Sequence, residues 1–352
     1  MLIKPTVDKT LPWVDYSTLS AVNTCPRWGL IHSWHGKRLP TGVDRVLPLE
    51  AGRAMHDVFA CARLFDLLTH VQGDSERTTL VNIYATKLFA TNDIPDRWQR
   101  AMHYYASLED AETKCMQMAL NLLETSGYHD DPRDTKRTQS NLESAAISYI
   151  QRYPLGRFIP YCSDDYSFIG VEVPFDVTLD DTIRFIGRVD GVCVDHMRSP
   201  EHRKPEVHEN KTGSRIDTVW SNSFDTSHQV TGYCVAMSCV LSTAIKDCVM
   251  WGVQIPVPKA STYSDGIMRY PTSRSDEAFF EWQQWVTHTL LVIDNYESDP
   301  TNAPMYTHSC NRYFRSCSLI PLCVETRERR KHIFDNEMET SRWSPLEQDN
   351  LV

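Results

Sequence analysis

Two short apolar runs, each with an acid set inside it, constrain this chain more than anything else in it. Ile183, Phe185, Ile186, Val189, Val192 and Val194 form one run around Asp190, and a second begins at Val207 and closes on Glu209-Asn210-Lys211. β-Branched and apolar runs of this length read as strands, so the two acids fall on neighbouring strands. Carboxylates so placed can share a divalent cation. Residues i and i+2 of a strand face the same side, so Lys211 sets an ammonium beside Glu209. That arrangement suits hydrolysis of a phosphodiester. A cation polarises a phosphoryl oxygen and lowers the pKa of a bound water, while a lysine orients that water or neutralises charge developing in the transition state.

Further motifs stand in a fixed order around these runs. Gly52-Arg53-Ala54-Met55-His56 comes first, then Glu172 in Val-Glu-Val-Pro-Phe, then Asp190 in Gly-Arg-Val-Asp-Gly, Glu209-Asn210-Lys211, and finally Gln229-x-x-x-Tyr233. Each motif alone is weak, whereas their order across about half the chain is hard to obtain by accident. In that order the chain resembles the PD-(D/E)xK nuclease superfamily, in its RecB-like and Cas4-like branch. The resemblance implies an α/β fold: a restriction-endonuclease-like core, with a central mixed sheet flanked by helices, and a helical insertion. It implies a metal-dependent DNA nuclease, an exonuclease rather than an endonuclease, in recombination, repair or phage DNA processing. Asp190 and Glu209 would hold Mg²⁺ or Mn²⁺ together with His56 and the backbone carbonyl of Asn210. Hard oxygens suit both ions, and one imidazole tilts the site toward Mn²⁺. Glu172 would serve a second metal or support the first. Lys211 would position the attacking water, and Gln229 and Tyr233 would fix Lys211 or touch a substrate phosphate. The expected partners are DNA, single-stranded or as a duplex with ends, and a recombinase, helicase or single-strand-binding protein.

The resemblance extends to both chain ends. Cys25 stands in Asn-Thr-Cys-Pro-Arg, and Cys310, Cys317 and Cys323 follow far downstream with six and then five residues between them. One early and three late cysteines is the arrangement of nucleases in this branch that hold a structural [4Fe–4S] cluster, although the commonest family pattern has two residues where this chain has six. A loop containing Pro321 lets the chain fold round such a cluster. Zinc on the same four sulfurs competes, since four thiolates suit either, and buried thiols without metal are the third reading. The other cysteines include Cys61, Cys115, Cys193, Cys234, Cys239 and Cys248, which sit in apolar patterns; eleven in all is an odd number and shows no paired framework. With no apolar leader after Met-Leu-Ile-Lys and no uncharged stretch long enough to span a bilayer, the expected location is cytoplasmic with no membrane partner.

Composition, at 41% hydrophobic and 10% aromatic, suits one large core or a core with a helical subdomain. The net charge of −10 argues against high-affinity coating of nucleic acid, which needs many phosphate contacts. A local basic groove remains compatible with it, and Arg53 and Arg188, inside the motifs, are the candidate phosphate contacts. Two other classes compete. A catalytically silent DNA-binding subunit of a recombination or replication complex would usually lack the lysine or an acid, and this chain keeps both. A zinc hydrolase would need a set such as His-Glu-x-x-His, which is absent.

Along the chain, five regions are expected: 1–50 with the first cluster cysteine, 51–160 helical and carrying His56, 161–300 as nuclease core, 301–324 as cysteine segment, and 325–352 as tail. Ser17 is expected to cap a first helix reaching Ile31, with a loop over Lys37–Pro48 and a second helix from Glu50 to Leu68. Residues 74–152 read as helices broken at Gly127–Asp134, with His103 and His129 at the surface. Strands over 168–178 and 182–195 make a hairpin through Asp180-Asp181, and Gln229 and Tyr233 stack one turn apart on a helix after Ser221. A strand over Val249–Val257 and a helix over Asp276–Tyr296 follow. In that helix Phe279, Phe280, Trp282 and Trp285 read as core. The charged run Arg327–Lys331 reads as a solvated helix end or mobile terminus.

Overall fold

The structure, a computed structural model, describes residues 1–40, 47–71, 73, 75–80, 82, 111–257, 266–312, 315–342 and 344–346. His103 and much of the expected helical insertion lie outside them. Strands β1 (Ile3–Pro5) and β2 (Trp13–Val14) lead into helix α1 (Tyr16–Thr24). Its cap is Asp15, whose carboxylate accepts from the Thr18 N–H, and not Ser17, which lies within the first turn. The helix also ends earlier than its apolar pattern suggests. Cys25 turns extended ahead of Pro26, which lacks the N–H a continuing helix would use; a single turn, α2 (Pro26–Trp28), then runs into a π-helical segment, Gly29–Trp34.

Strand β3 (Lys37–Arg38) precedes the long helix α3 (Leu47–His70), so His56 sits in its third turn and not at its start. Helices α4 (Ala111–Glu124) and α5 (Gln139–Arg152) follow, separated by the expected break. Next come β4 (Phe158–Pro160), β5 (Val171–Leu179), β6 (Ile183–Asp195) and β7 (Pro205–Gly213). Asp180 and Asp181 both take left-handed backbone, φ 48° and 58°, as the tight β5–β6 hairpin requires. The chain continues through α6 (Thr218–Asn222), α7 (His228–Val240), β8 (Asp247–Gln254), β9 (Ile267–Ser273) and α8 (Asp276–Tyr296). Among the described residues the main sheet has eight strands in the order β1-β5-β6-β7-β8-β9, with β2 and β4 also pairing β6. It is mixed: β7 and β8 run parallel, as do β2 and β6, and the remaining pairs are antiparallel.

Helices cover both faces, as a sheet with two apolar sides requires. On one side Met55, Val58, Phe59 and Phe65 of α3 pack with Leu122, Tyr149 and Trp251; on the other Leu19, Val22, Phe185, Met237 and Trp282 form a second core. Trp282 is fully buried and Phe279 and Trp285 pack partly against this core, but Phe280 is 53% exposed. Gly29 crosses α1 so closely that a Cβ there would overlap the backbone of Ala21 and Val22. Gly29→Ala is therefore expected to cost about 2–3 kcal/mol, read as a lower urea midpoint at unchanged slope.

The C-terminal segment is ordered where a mobile tail was one expectation. After β10 (Asn311–Arg312), β11 (Arg315–Ser316) and α9 (Ile320–Cys323), helix α10 (Arg327–Asn336) is capped by Thr326 and buries Ile333 against Ile31, Leu319, Leu322 and Met338. Strand β12 (Glu339–Thr340) then pairs with β3, and the Arg342 guanidinium lies 3.6 Å over the Trp13 ring. The charges of Arg327 and Lys331 do face solvent. Among the described residues no helix is long and apolar enough to cross a membrane.

Candidate metal centre

The site forms where two strands break their alternation. Val171 packs in the α3 core while Val173, two residues on, packs in the α7–α8 core; Val189 and Val192 share that second core despite an odd separation. The break falls at Glu172, held at φ 47°, opposite Asp190. A non-glycine residue there costs of order 1 kcal/mol or more, a form of strain that clusters at functional sites. Helix α3 lies across β5, β6 and β7 and brings His56 to the break.

His56 Nδ1 lies 3.3 Å from Asp190 Oδ1 and 3.9 Å from Glu172 Oε1. Among the described residues these three form the only set of His, Cys, Asp or Glu ligand atoms within 4.8 Å of one another that could hold a metal ion. Asp190 is oriented from its other oxygen: Oδ2 accepts from the Asn210 N–H at 2.7 Å and from Asn210 Nδ2 at 3.3 Å. Asn210, expected to contribute its carbonyl, thus enters the site through its donors, and the Tyr149 hydroxyl donates to its Oδ1. On β7, Lys211 Nζ donates to Glu209 Oε1 at 2.6 Å, confirming that both side chains share a face. Two buried carboxylate oxygens, Glu172 Oε1 and Glu209 Oε2, have no hydrogen-bond partner. Buried oxygens rarely go unpaired; a cation held by His56, Glu172 and Asp190 would satisfy the Glu172 oxygen, and Glu209, expected as a ligand, lies outside that set of three.

Electrostatics follow from this crowding. Burial works to raise the pKa of Asp190, yet His56, Arg63 and Lys211 outweigh it and hold the group well below the usual carboxylate range. For Glu209, burial and then the Asp190 charge push the pKa up to about 7, with Lys211 only partly offsetting them. Burial disfavours the charged forms of His56 and Lys211, but the surrounding carboxylates overcome it and raise both. Lys211 is thereby an ammonium, a donor and not a base.

Gln229 and Tyr233 reach the same region from α7. Their side chains bond to each other, Nε2 to hydroxyl at 3.0 Å, and not to Lys211. Burial raises the Tyr233 pKa first, and the Glu209 and Asp190 charges add to it, so its hydroxyl faces the acids as a protonated phenol. Arg53 is exposed one turn before His56. Arg188 turns elsewhere: its NH2 donates to the Pro345 carbonyl. One residue escaped the sequence reading. Arg63, two turns beyond His56 on α3, is fully buried against Gly191, its three guanidinium nitrogens without hydrogen-bond partners, and its charge acts on Asp190. The only sequence signal for it was Gly191, where any Cβ would strike the guanidinium.

The four terminal cysteines share one neighbourhood. Cys25 is buried, whereas Cys310, Cys317 and Cys323 are half-buried. Burial raises the Cys317 pKa, and Cys323, Cys25 and Cys310 are all close enough to add to the shift. Hydrogen bonds hold the segment: the Cys317 N–H donates to Cys310 O, and the Arg27 side-chain Nε donates to Ala303 O. Cys61, Cys115, Cys193, Cys234 and Cys248 are buried in the sheet cores, and Cys239 is half-buried at their margin. No known protein-family model matches this chain, and no curated protein matches it either.

Proposed function

We propose that this chain is a divalent-metal-dependent DNA nuclease of the PD-(D/E)xK type, RecB-like and Cas4-like, acting as an exonuclease. The observation that carries the reading is the convergence of His56, Glu172 and Asp190 within 4.8 Å, beside the Glu209–Lys211 pair. The donor set fits a hard cation with some tolerance for nitrogen: the Glu172 and Asp190 carboxylates, one imidazole, and a buried Glu172 oxygen lacking a donor. Mg²⁺ or Mn²⁺ held there would polarise a phosphoryl oxygen and acidify a water. The protein's own groups do the rest. Asn210 fixes the direction of Asp190, and His56, with Arg63 and Lys211 adding to it, keeps that carboxylate ionised. Lys211, as an ammonium, orients the attacking water by donation and counters the charge that builds on the phosphorane oxygens. The Tyr233 hydroxyl, polarised by Gln229, is a further donor for a substrate phosphate.

Removing the imidazole is expected to weaken the metal and spare the fold, because His56 is 40% exposed. The Mn²⁺ activation midpoint of His56→Ala should rise about tenfold or more; an unchanged midpoint would make His56 a plain packing residue.

The four cysteines, which share one neighbourhood, would hold a resident [4Fe–4S] cluster, and zinc is the competing reading because four thiolates suit either metal. A cytoplasmic setting and a helicase, recombinase or single-strand-binding partner belong to the same proposal. The direct test is digestion of end-labelled single- and double-stranded DNA with Mn²⁺, beside covalently closed circles and an EDTA control. Shortening from ends with intact circles supports an exonuclease, nicked circles make it an endonuclease, and uncut DNA in every lane removes the proposal.

A further inference from the structure

The Arg63 guanidinium is a buried charge whose position asks for more than the supporting part given to it above. His56 and Arg63 stand seven residues apart on α3, two turns on one face, so the helix that delivers the imidazole also lays a guanidinium against the strand that carries Asp190. Arg63 is 0% exposed, and a Cβ on Gly191, the residue after Asp190, would lie 2.6 Å from its Nε. None of its three guanidinium nitrogens has a hydrogen-bond partner. An arginine does not give up its proton in a protein, so a full positive charge stands inside the core.

The groups around it leave one countercharge. Tyr149, Tyr153 and Cys193 are neutral neighbours, because burial pushes the Cys193 thiol up to about 12 and raises both phenols above their ordinary value. Asp66, three residues on along α3, answers to burial, the Gly156 N–H and His70. Glu206 is taken by Arg198 and His208. Burial works against the Arg63 charge, and Asp190 is the carboxylate among the groups that outweigh it. A buried charge without hydrogen bonds is costly, and an unbranched apolar side chain would pack as well at lower cost. Its place behind a metal-binding carboxylate gives that cost a role.

While no ion is bound, Glu172 and Asp190 are two acids facing one imidazole, with Glu209 close enough to feel the Asp190 charge. Arg63 offsets that crowding without drawing a hydrogen bond from any of the three. Asp190 therefore keeps Oδ1 toward His56 while Asn210 holds Oδ2. Once an ion is bound, the same fixed charge repels it and weakens its hold. We propose that Arg63 is a positioning residue of the cation site, a built-in countercharge that steadies Asp190 while the site is empty and keeps a divalent ion exchangeable once it is filled. The inference rests on the cation site of the proposed function and not on cleavage.

Mn²⁺ binding without DNA tests it. The probe is Mn²⁺ alone, with free ion counted by electron paramagnetic resonance at one fixed pH, and His56→Ala marks which bound ion belongs to the site. Arg63→Met and Arg63→Gln both remove the charge and keep an unbranched side chain. Each should bind Mn²⁺ about tenfold more tightly than the wild type, and saturating Mn²⁺ should raise its melting temperature by more. A proton on His56 feels the lost charge once and a divalent ion feels it twice, so the exchange between them still turns toward the ion. Damaged packing would move the affinity the other way, which separates a charge effect from a structural one. Equal or weaker Mn²⁺ affinity in folded Arg63→Met would overturn the proposal, as would failure of both variants to fold, since the charge would then serve the core. A wild type that binds no Mn²⁺ overturns it together with the cation site. A wild type that binds Mn²⁺ and leaves DNA uncut loses only the nuclease reading.

Discussion

Lys211→Ala is expected to lower single-turnover DNA cleavage by about 10²–10³-fold at saturating Mn²⁺, the loss typical of one donor that acts on developing charge. The fold should survive. Lys211 is 31% exposed, and the Glu209 carboxylate it leaves behind already has its pKa raised, so it can take a proton in place of the ion pair. Asp190→Ala should be at least as severe, because it also frees the Asn210 donors that Asp190 holds. Circular dichroism melts beside the kinetics separate a lost donor from a lost fold. A Lys211→Ala protein that cleaves at the wild-type rate would mean the Glu209–Lys211 pair is not the catalytic one.

Cys25→Ser is expected to have the largest effect on stability. Anaerobically purified wild type should be brown, with about four irons and four labile sulfides per chain, and the variant colourless. A link from residue 25 to residues 310–323 closes nearly the whole chain, and constraining a loop of that span is worth roughly 5 kcal/mol in the unfolded state. The link is not the sole tie. The β3–β12 pairing and the Arg342–Trp13 contact also join the ends, so the variant should open locally before it unfolds globally. Limited proteolysis should cut it near residues 300–326, while Cys115→Ser, a thiol inside the α3 core, should resist like the wild type. Colourless wild type carrying stoichiometric zinc would replace the cluster by a zinc site, and metal-free wild type indifferent to Cys25→Ser would remove the metal altogether.

Elements with long uninterrupted periodicity could be read from sequence, and short or non-local ones could not. The β5–β6 hairpin, the strand expected to end at Lys211 and found to run on to Gly213, and the helix Asp276–Tyr296 each carry their own pattern, and the structure has them with ends near those expected. The break at Cys25 was hidden because Trp28, Leu30 and Ile31 keep apolar spacing through it, and only Pro26 marks it. Strand β9 went unread since none of its residues is buried and it contains Pro271, which suits an edge. The pairing of β12 with β3 involves two residues on each side, too few to leave a pattern. At the site, the residue types named the acids and Lys211. An arginine within an apolar helix pattern reads as a surface charge, so Arg63 was missed, and a hydrogen bond from Asn210 to Asp190 has no signature in spacing.

The left-handed backbone at Glu172 sets stability against activity at a single position. Glycine there would adopt φ 47° without a steric penalty and would remove the unpaired Glu172 Oε1, so Glu172→Gly gains on both counts what it loses in strand propensity. A screen that rewards thermal resistance alone would therefore drift toward dismantling the cation site, and would do so first at the residue whose conformation is least comfortable.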